Sequence, residues 1–221
     1  MLAYLPTTLF LLASIAVPTS AGVQQSDFSG VGNILVIKSD NWQTATPEST
    51  IGCLDTNGRL ISTKSHVHKC GVFERMEDFP YTLSTGKGNC TFEDDKQEKN
   101  TDSYYGKTDS AWSCGERIAD IYDELYTVDG FPYVFLCFGD VACYYDAKKT
   151  PGAHEALPLW PFRWGSQQMG ITPGHVQLQL MWKKLGDLPG KAKTTEALGP
   201  RVQISENAGL QMPLMGRKQR G

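Results

Sequence analysis

Short apolar runs separated by turn residues recur along the chain. The run ILVI at 34–37 has the length of a buried strand, and FPYVFLCFG at 131–139 is the most strand-like run in the sequence. Apolar and polar side chains alternate through HVQLQLMW at 175–182, as in a half-buried strand. By contrast, IADIYDELY at 118–126 has helical spacing. The pattern therefore predicts an all-β or β-dominated fold with at most one short helix.

Turn residues predict hairpins between these strands. Asn57-Gly58 lies between IGCLD and RLIS and predicts a two-residue loop in which both residues adopt positive φ. In that register Cys53 faces Ser62, so Cys53 must find a disulfide partner beyond its own hairpin. Cys70 is the nearest candidate and Cys90 is the next.

Two further turns extend the pattern. The segment 85–88 lies between PYTLS and NCTFE and predicts a looser hairpin. Gly139-Asp140 follows the run at 131–139 and turns the chain into VACYYD, which predicts a third hairpin. Cys137 and Cys143 would then be diagonal neighbours, and a disulfide between them is one of the pairings that this hairpin allows.

The N-terminal segment 1–21 has the pattern of a secretory signal peptide. Its apolar run, LFLLASIAV, is followed by small residues, with Thr19 and Ala21 at positions −3 and −1 of a cleavage site before Gly22. This run is too short to span a bilayer, and no later stretch reaches the roughly eighteen apolar residues that a span requires. We therefore expect an extracellular protein without a membrane anchor.

The cysteine content fits that compartment. The count is six, an even number, and no CxxC motif occurs, which favours disulfides over a zinc ribbon or a thioredoxin-like site. The sequence predicts three disulfides among Cys53, Cys70, Cys90, Cys114, Cys137 and Cys143, in a small sandwich or partly open barrel. Asn89 begins the glycosylation sequon Asn-Cys-Thr, although the cysteine in its middle could hinder its use.

Charge divides the chain near residue 147. Residues 147–221 contain eleven Lys and Arg against four Asp and Glu, a net +7, so the remainder carries −10 to give the overall −3. We expect a cysteine-rich β domain over 22–186 and a flexible basic tail over 187–221, where apolar periodicity is lost. The dispersed charge does not resemble a nucleic-acid-binding patch, so a nucleic-acid partner is not expected.

A histidine pair is the first candidate for chemistry. On a strand, His66 and His68 would share one face at a separation of about 6.5 Å, as in some metal sites. The alternative is a polar loop between two disulfide anchors, and we expect no metal or other cofactor. A small secreted endoribonuclease or other hydrolase could use His66 or His68 with Glu74 and Arg75 as acid, base and cation. However, adjacent residues on a regular strand point to opposite faces, which weakens this trio.

Aromatic residues offer a second candidate site. They could form a carbohydrate-stacking platform or fill the core of a small disulfide domain. The tyrosines at 104 and 105 lie in the polar segment 94–110, so these two are expected to be exposed. The residues in question are Tyr104, Tyr105, Trp112, Tyr144, Tyr145, Trp160 and Trp164.

The motifs GCLD, CGVF, NCTF and AWSCG, followed by a tyrosine-rich hairpin, occupy about residues 50–150. In general style this combination resembles the small secreted cysteine-rich proteins of filamentous fungi that are called effectors. The resemblance implies a secreted, non-enzymatic interaction protein that binds a host or microbial surface protein or a cell-wall glycan. The long basic extension over 151–221 departs from that pattern.

Overall fold

The computed structural model describes residues 27–188, apart from residues 66, 79 and 140–142. The expected signal peptide and nearly all of the expected basic tail therefore lie outside the described residues. The described chain is β-dominated, has no helix of seven or more residues, and forms a curled half-barrel sheet with three disulfides. This confirms the predicted fold class. Within residues 28–188, the described helical content is two 3₁₀ turns of three residues each, Pro47–Ser49 and Ile121–Asp123.

Twelve strands are present in the described chain. In order they are β1 Val31–Lys38, β2 Thr50–Leu54, β3 Leu60–Ser62, β4 Phe73–Arg75, β5 Leu83–Thr85, β6 Gly88–Thr91, β7 Ser113–Gly115, β8 Phe135–Leu136, β9 Tyr144–Ala147, β10 Ala156–Leu157, β11 Trp160–Pro161 and β12 Val176–Gly186.

The centre of the sheet is the antiparallel pair β1 and β12. Their register runs from Lys38↔Leu178 to Val31↔Gly186, with one irregularity near Val31. The other edge of β1 pairs with β2 and β4, and the other edge of β12 pairs with β8 and β9. The predicted strand at 175–182 is thus confirmed. Because it is central, Gln179 on its second face is as fully buried as Leu178 on its first.

The hairpin at Asn57-Gly58 forms with a different loop. Gly58 has φ +85°, whereas Asn57 does not adopt a positive φ. The N–H of Asp55 bonds to the carbonyl of Arg59, which leaves a three-residue loop with glycine in the left-handed position. Cys53 therefore faces Ile61 rather than Ser62. The Asp55 side chain accepts the backbone N–H groups of Asn57 and Arg59 at 2.9 and 2.8 Å, and this stabilises the longer loop.

The other turns gave mixed outcomes. The hairpin at 85–88 is confirmed, with Thr85 opposite Gly88. The hairpin expected at Gly139-Asp140 is wrong, because β8 and β9 pair with successive parts of the same edge of β12 and not with each other. Of the run at 131–139, Phe135–Leu136 alone is strand.

The helical spacing at 118–126 does not produce an amphipathic helix. The segment contains one 3₁₀ turn, Ile121–Asp123. Ile118 and Tyr122 are 92% and 75% exposed, whereas Leu125 is buried. Ile118 and Tyr122 therefore lie on the surface, and Leu125 is the residue of this series that reaches the core.

The core lies on both sides of the central strands. One cluster includes Ile34, Val36, Trp112, Tyr145 and Leu180. A smaller cluster on the opposite side includes Ile37, Phe131, Phe135, Cys137, Cys143 and Met181. Burial on both faces excludes water from the central pair and stabilises the sheet.

Three disulfides link Cys53 to Cys70, Cys90 to Cys114 and Cys137 to Cys143, which leaves no free cysteine. Cys53 is bonded to Cys70, the nearest candidate outside its own hairpin, as predicted. Such a framework indicates an extracellular or other oxidising environment. In the described part of the chain, no helix is long and apolar enough to cross a membrane.

Candidate ligand-binding cleft

Of the residues proposed for ribonuclease chemistry, Glu74 and Arg75 lie in strand β4 and His68 precedes it. His66 is outside the described residues, and His68 is half-buried in a loop where its backbone N–H bonds to the Oγ of Ser65 at 2.9 Å. On β4, Glu74 is exposed and Arg75 is half-buried. Across the described residues, no group of three or more His, Cys, Asp or Glu side chains could hold a metal ion.

Arg75 packs against the N-terminal end of the sheet. Its Nη1 donates to the carbonyl of Phe28 at 3.0 Å, and its guanidinium lies 4.5 Å from the centre of the Phe28 ring. Its Nη2 lies 3.7 Å from Oε1 of Glu124. Burial lowers the pKa of Arg75, and the Glu124 charge partly opposes this. The contacts of Arg75 are those of a residue that supports the fold.

The aromatic candidates separate into a buried group and an exposed group. Trp112, Tyr145 and Trp160 are fully buried in the core. Tyr104, Tyr105 and Trp164 are 60%, 40% and 67% exposed. Tyr144 is half-buried, and its hydroxyl donates to the carbonyl of Asp40 at 2.6 Å. Exposure of Tyr104 and Tyr105 agrees with the prediction from their polar surroundings.

The exposed tyrosines are held in a fixed arrangement. The rings of Tyr104 and Tyr105 meet edge to face at 4.9 Å. The Tyr105 ring covers Gly165, where a Cβ would come within 2.6 Å of the ring, so a larger residue at this position would displace the tyrosine. The Tyr105 hydroxyl accepts the N–H of Gln167 at 3.0 Å and lies 3.2 Å from the Oγ of Ser166. The hydrogen bond with Ser166, followed by that from Gln167, lowers the pKa of Tyr105.

An open cleft of about 800 Å³ lies beside these rings. Loop 101–107 forms one wall, and loop 167–173 forms the other. The walls combine polar groups with one aromatic face and several aliphatic surfaces. The lining residues are Thr101, Asp102, Ser103, Tyr104, Lys107, Gln167, Gln168, Met169, Gly170, Ile171 and Pro173.

Buried Gln168 connects the two walls. Its Oε1 accepts the backbone N–H of Tyr104 at 2.7 Å and the hydroxyl of Ser103 at 3.2 Å. Its Nε2 donates to the carbonyl of Arg163 at 2.8 Å. One amide side chain thereby sets the separation of the two loops.

A carboxylate and a histidine connect the cleft to the sheet. Asp146 on β9 is 1% exposed, and its Oδ2 accepts hydrogen bonds from Asn100, at 3.0 Å, and from Thr172. Its Oδ1 lies 2.5 Å from Nδ1 of His175, and Nε2 of that ring lies 3.4 Å from Oδ2 of Asp102. Asp102 lines the cleft, so a continuous polar chain runs from the buried strand to the cleft wall.

Sequence reasoning did not identify this chain of contacts. Asp146 and His175 are separated by 29 residues and approach each other because β9 pairs with β12. The available signal was a carboxylate in the middle of the apolar segment YYDA, which implies a buried partner. A single histidine before β12 carries no such signal.

The His175 ring is enclosed by acidic groups. Both nitrogens of His175 face carboxylates, and its side chain is 5% exposed. The histidine therefore positions Asp102 and the loops, while the exposed tyrosines and cleft-wall groups remain open to a ligand.

The sequon asparagine lies apart from the cleft. Asn89 is half-buried in β6, and its Nδ2 donates to the carbonyl of Arg117 at 2.6 Å. A glycan on this nitrogen would compete with that hydrogen bond, and Cys90 beside it is disulfide-bonded. Glycosylation of Asn89 stays a prediction.

The fold and site define a small disulfide-stabilised half-barrel protein with an open, aromatic-edged cleft. Comparison of the chain with protein-family models, curated proteins and solved structures gives no match.

Proposed function

We propose that the protein is a secreted, non-enzymatic binding protein of the effector type that holds a carbohydrate chain, such as a cell-wall glycan, in the cleft. The observation that carries this proposal is the exposed Tyr104 ring on the wall of a cleft that also presents Asp102, Lys107 and Gln167. Sugar rings offer C–H faces that stack on aromatic rings and hydroxyls that bond to carboxylate, ammonium and amide groups.

The mixture of lining groups also favours a carbohydrate over a purely apolar ligand. Buried polar groups hold the walls in place before a ligand arrives, which reduces the ordering cost of binding. Tyr105, whose ring packs edge to face against that of Tyr104, could extend contact to a further sugar unit. Secretion, which the three disulfides and the N-terminal sequence support, would place the cleft where such glycans occur.

The proposal is tested by titrating the protein with short oligosaccharides of glucose, of N-acetylglucosamine and of mannose. Calorimetry should detect binding of at least one series. Loss of one stacked ring is worth about 0.5–1.5 kcal/mol, so Tyr104→Ala should weaken binding about two- to tenfold. Tyr122→Ala removes a more exposed tyrosine from another surface and should leave the affinity unchanged.

Two results would overturn this assignment. If no oligosaccharide binds, or if Tyr104→Ala binds as well as the unaltered protein, the cleft is not a glycan site. The endoribonuclease alternative has its own readout, which is cleavage of single-stranded RNA. Cleavage that is lost in His66→Ala or His68→Ala would replace the binding proposal with an enzymatic one.

A further inference from the structure

A second surface displays apolar side chains to solvent at a distinct place on the molecule. It consists of residues 116–124, here called the acidic loop, which follow β7. Within it, Ile118 is 92% exposed, Tyr122 75% and Ile121 49%. Single exposed apolar residues are ordinary, but three within five positions of one loop form a patch that is typical of an interaction site.

The acidic loop is held in position from both ends. The backbone carbonyl of Arg117 accepts a hydrogen bond from the Asn89 side chain at 2.6 Å. The guanidinium Nη2 of Arg117 lies 2.8 Å from Oδ2 of Asp94. Further along, the Asp120 side chain accepts the N–H of Tyr122 at 3.2 Å, and the N–H of Asp120 bonds to Asp123 at 3.1 Å. These contacts fix the backbone of the loop in a conformation that leaves its apolar side chains exposed to solvent.

Asp123 ties the loop to the sheet beneath it. It is 3% exposed, and its carboxylate accepts the hydroxyl of Thr91 on β6. The Cys90–Cys114 disulfide links β6, which carries Thr91, to β7, which precedes the loop. The patch is therefore preorganised, and binding there would require little ordering of the loop.

Exposed carboxylates surround the patch. The acidic loop contains four carboxylates against the single guanidinium of Arg117, which is paired with Asp94. Of the four, Glu124 is paired with Arg75 and Asp123 is buried, so Glu116 and Asp120 carry the exposed negative charge. A groove of about 530 Å³ beside the patch is lined by Thr91, Glu93, Arg117, Ile118, Asp120, Tyr122 and Asp123. Glu93, Glu116 and Asp120 are exposed and available to an incoming cation.

We infer that the acidic loop is a docking surface for a cationic, amphipathic segment of another protein. Apolar side chains of the partner would cover Ile118 and Tyr122, and lysines or arginines would meet Glu93, Glu116 and Asp120. This combination has the apolar centre and charged rim of protein interfaces. The groove shares no lining residue with the glycan cleft, so the inference does not depend on the proposed function.

The test uses the full chain and a short synthetic peptide with lysine and leucine at helical amphipathic spacing. Fluorescence anisotropy of the labelled peptide should show saturable binding that weakens as salt is added. The double variant Ile118→Ser, Tyr122→Ser should lower the affinity at least about tenfold. The matched control is Val67→Ser, Val72→Ser, which alters two valines that are 65% and 48% exposed elsewhere on the surface.

A second pair of reagents tests the charge requirement. A peptide with glutamate in place of lysine should not bind, and Glu93→Gln, Glu116→Gln should weaken the lysine peptide without changing the apolar patch. If circular dichroism shows that the double serine variant does not fold, the double glutamine variant provides the test in its place. Equal binding by the two peptides would overturn the inference. Equal loss of affinity in the isoleucine-tyrosine variant and the valine control would also overturn it.

Discussion

Asp94 joins three parts of the chain through one carboxylate. Its Oδ2 accepts from Gln97 at 2.9 Å and from Ser113 at 3.4 Å, and lies 2.8 Å from Nη2 of Arg117. Burial alone would raise the pKa of Asp94, but the hydrogen bonds from Gln97 and the backbone of Lys96, with the charge of Arg117, outweigh it and lower the pKa. The charged form is thus the one that the folded state stabilises.

We expect Asp94→Asn to destabilise the protein by about 1 kcal/mol near neutral pH, because hydrogen bonds to a charged acceptor are lost. A carboxyl with a lowered folded-state pKa contributes stability above its unfolded pKa of about 3.9, and that stability is lost as the pH falls through the folded value. The difference between the two proteins in urea unfolding should therefore shrink below about pH 4. A difference that stays constant into acid would contradict a charge-based role.

At the scale of residues, the solvent exposure of a side chain was easier to predict from the sequence than its contacts. The polar surroundings of Tyr104 and Tyr105 predicted their exposure, whereas nothing in the sequence pairs Asp146 with His175. That contact depends on a strand register between segments distant in sequence. Side-chain hydrogen bonds also shifted the loop at Gly58 by one residue, because Asp55 stabilises an alternative to the two-residue turn.

At the scale of elements, β12 organises the sheet. It pairs with β1 over the full length of that strand and supplies the edge for both β8 and β9. Its alternation was visible in the sequence because apolar side chains recur at every second position. The strand pairing of residues 131–139 could not be predicted, because a continuous apolar run does not indicate which strand will be its neighbour.

Paired truncations test the importance of β12. Truncation after Gly174 removes the whole strand, including the buried Leu178, Leu180 and Trp182, and exposes the apolar side chains of β1 that packed beside them. Each buried side chain of this size contributes roughly 1.5–3 kcal/mol, so the melting temperature should fall by many degrees or folding should fail. Truncation after Leu188 preserves every pair that β12 makes and should leave the melting temperature nearly unchanged. Differential scanning calorimetry would compare them, and similar behaviour would contradict this account.

At the scale of the whole molecule, the disulfides join segments that the sheet topology brings together. Cys90 and Cys114 face each other across β6 and β7, and Cys53 on β2 reaches the loop before β4. The even cysteine count predicted the framework, and the hairpin argument led to Cys70. The remaining pairs could not be chosen, because they depend on which strands become neighbours.

The closed loops differ in length, and this predicts an order of stability. The separations are 24 residues for Cys90–Cys114, 17 for Cys53–Cys70 and 6 for Cys137–Cys143. If cross-links act by restricting the unfolded chain, the two longer loops contribute about 3 kcal/mol each and the shortest about 2 kcal/mol. Replacing both members of each pair by serine avoids an unpaired thiol. Urea unfolding should then find the Cys137–Cys143 variant the least destabilised of the three. If that variant is instead the most destabilised, the short disulfide acts by holding β8 and β9 against β12, and packing rather than chain entropy dominates.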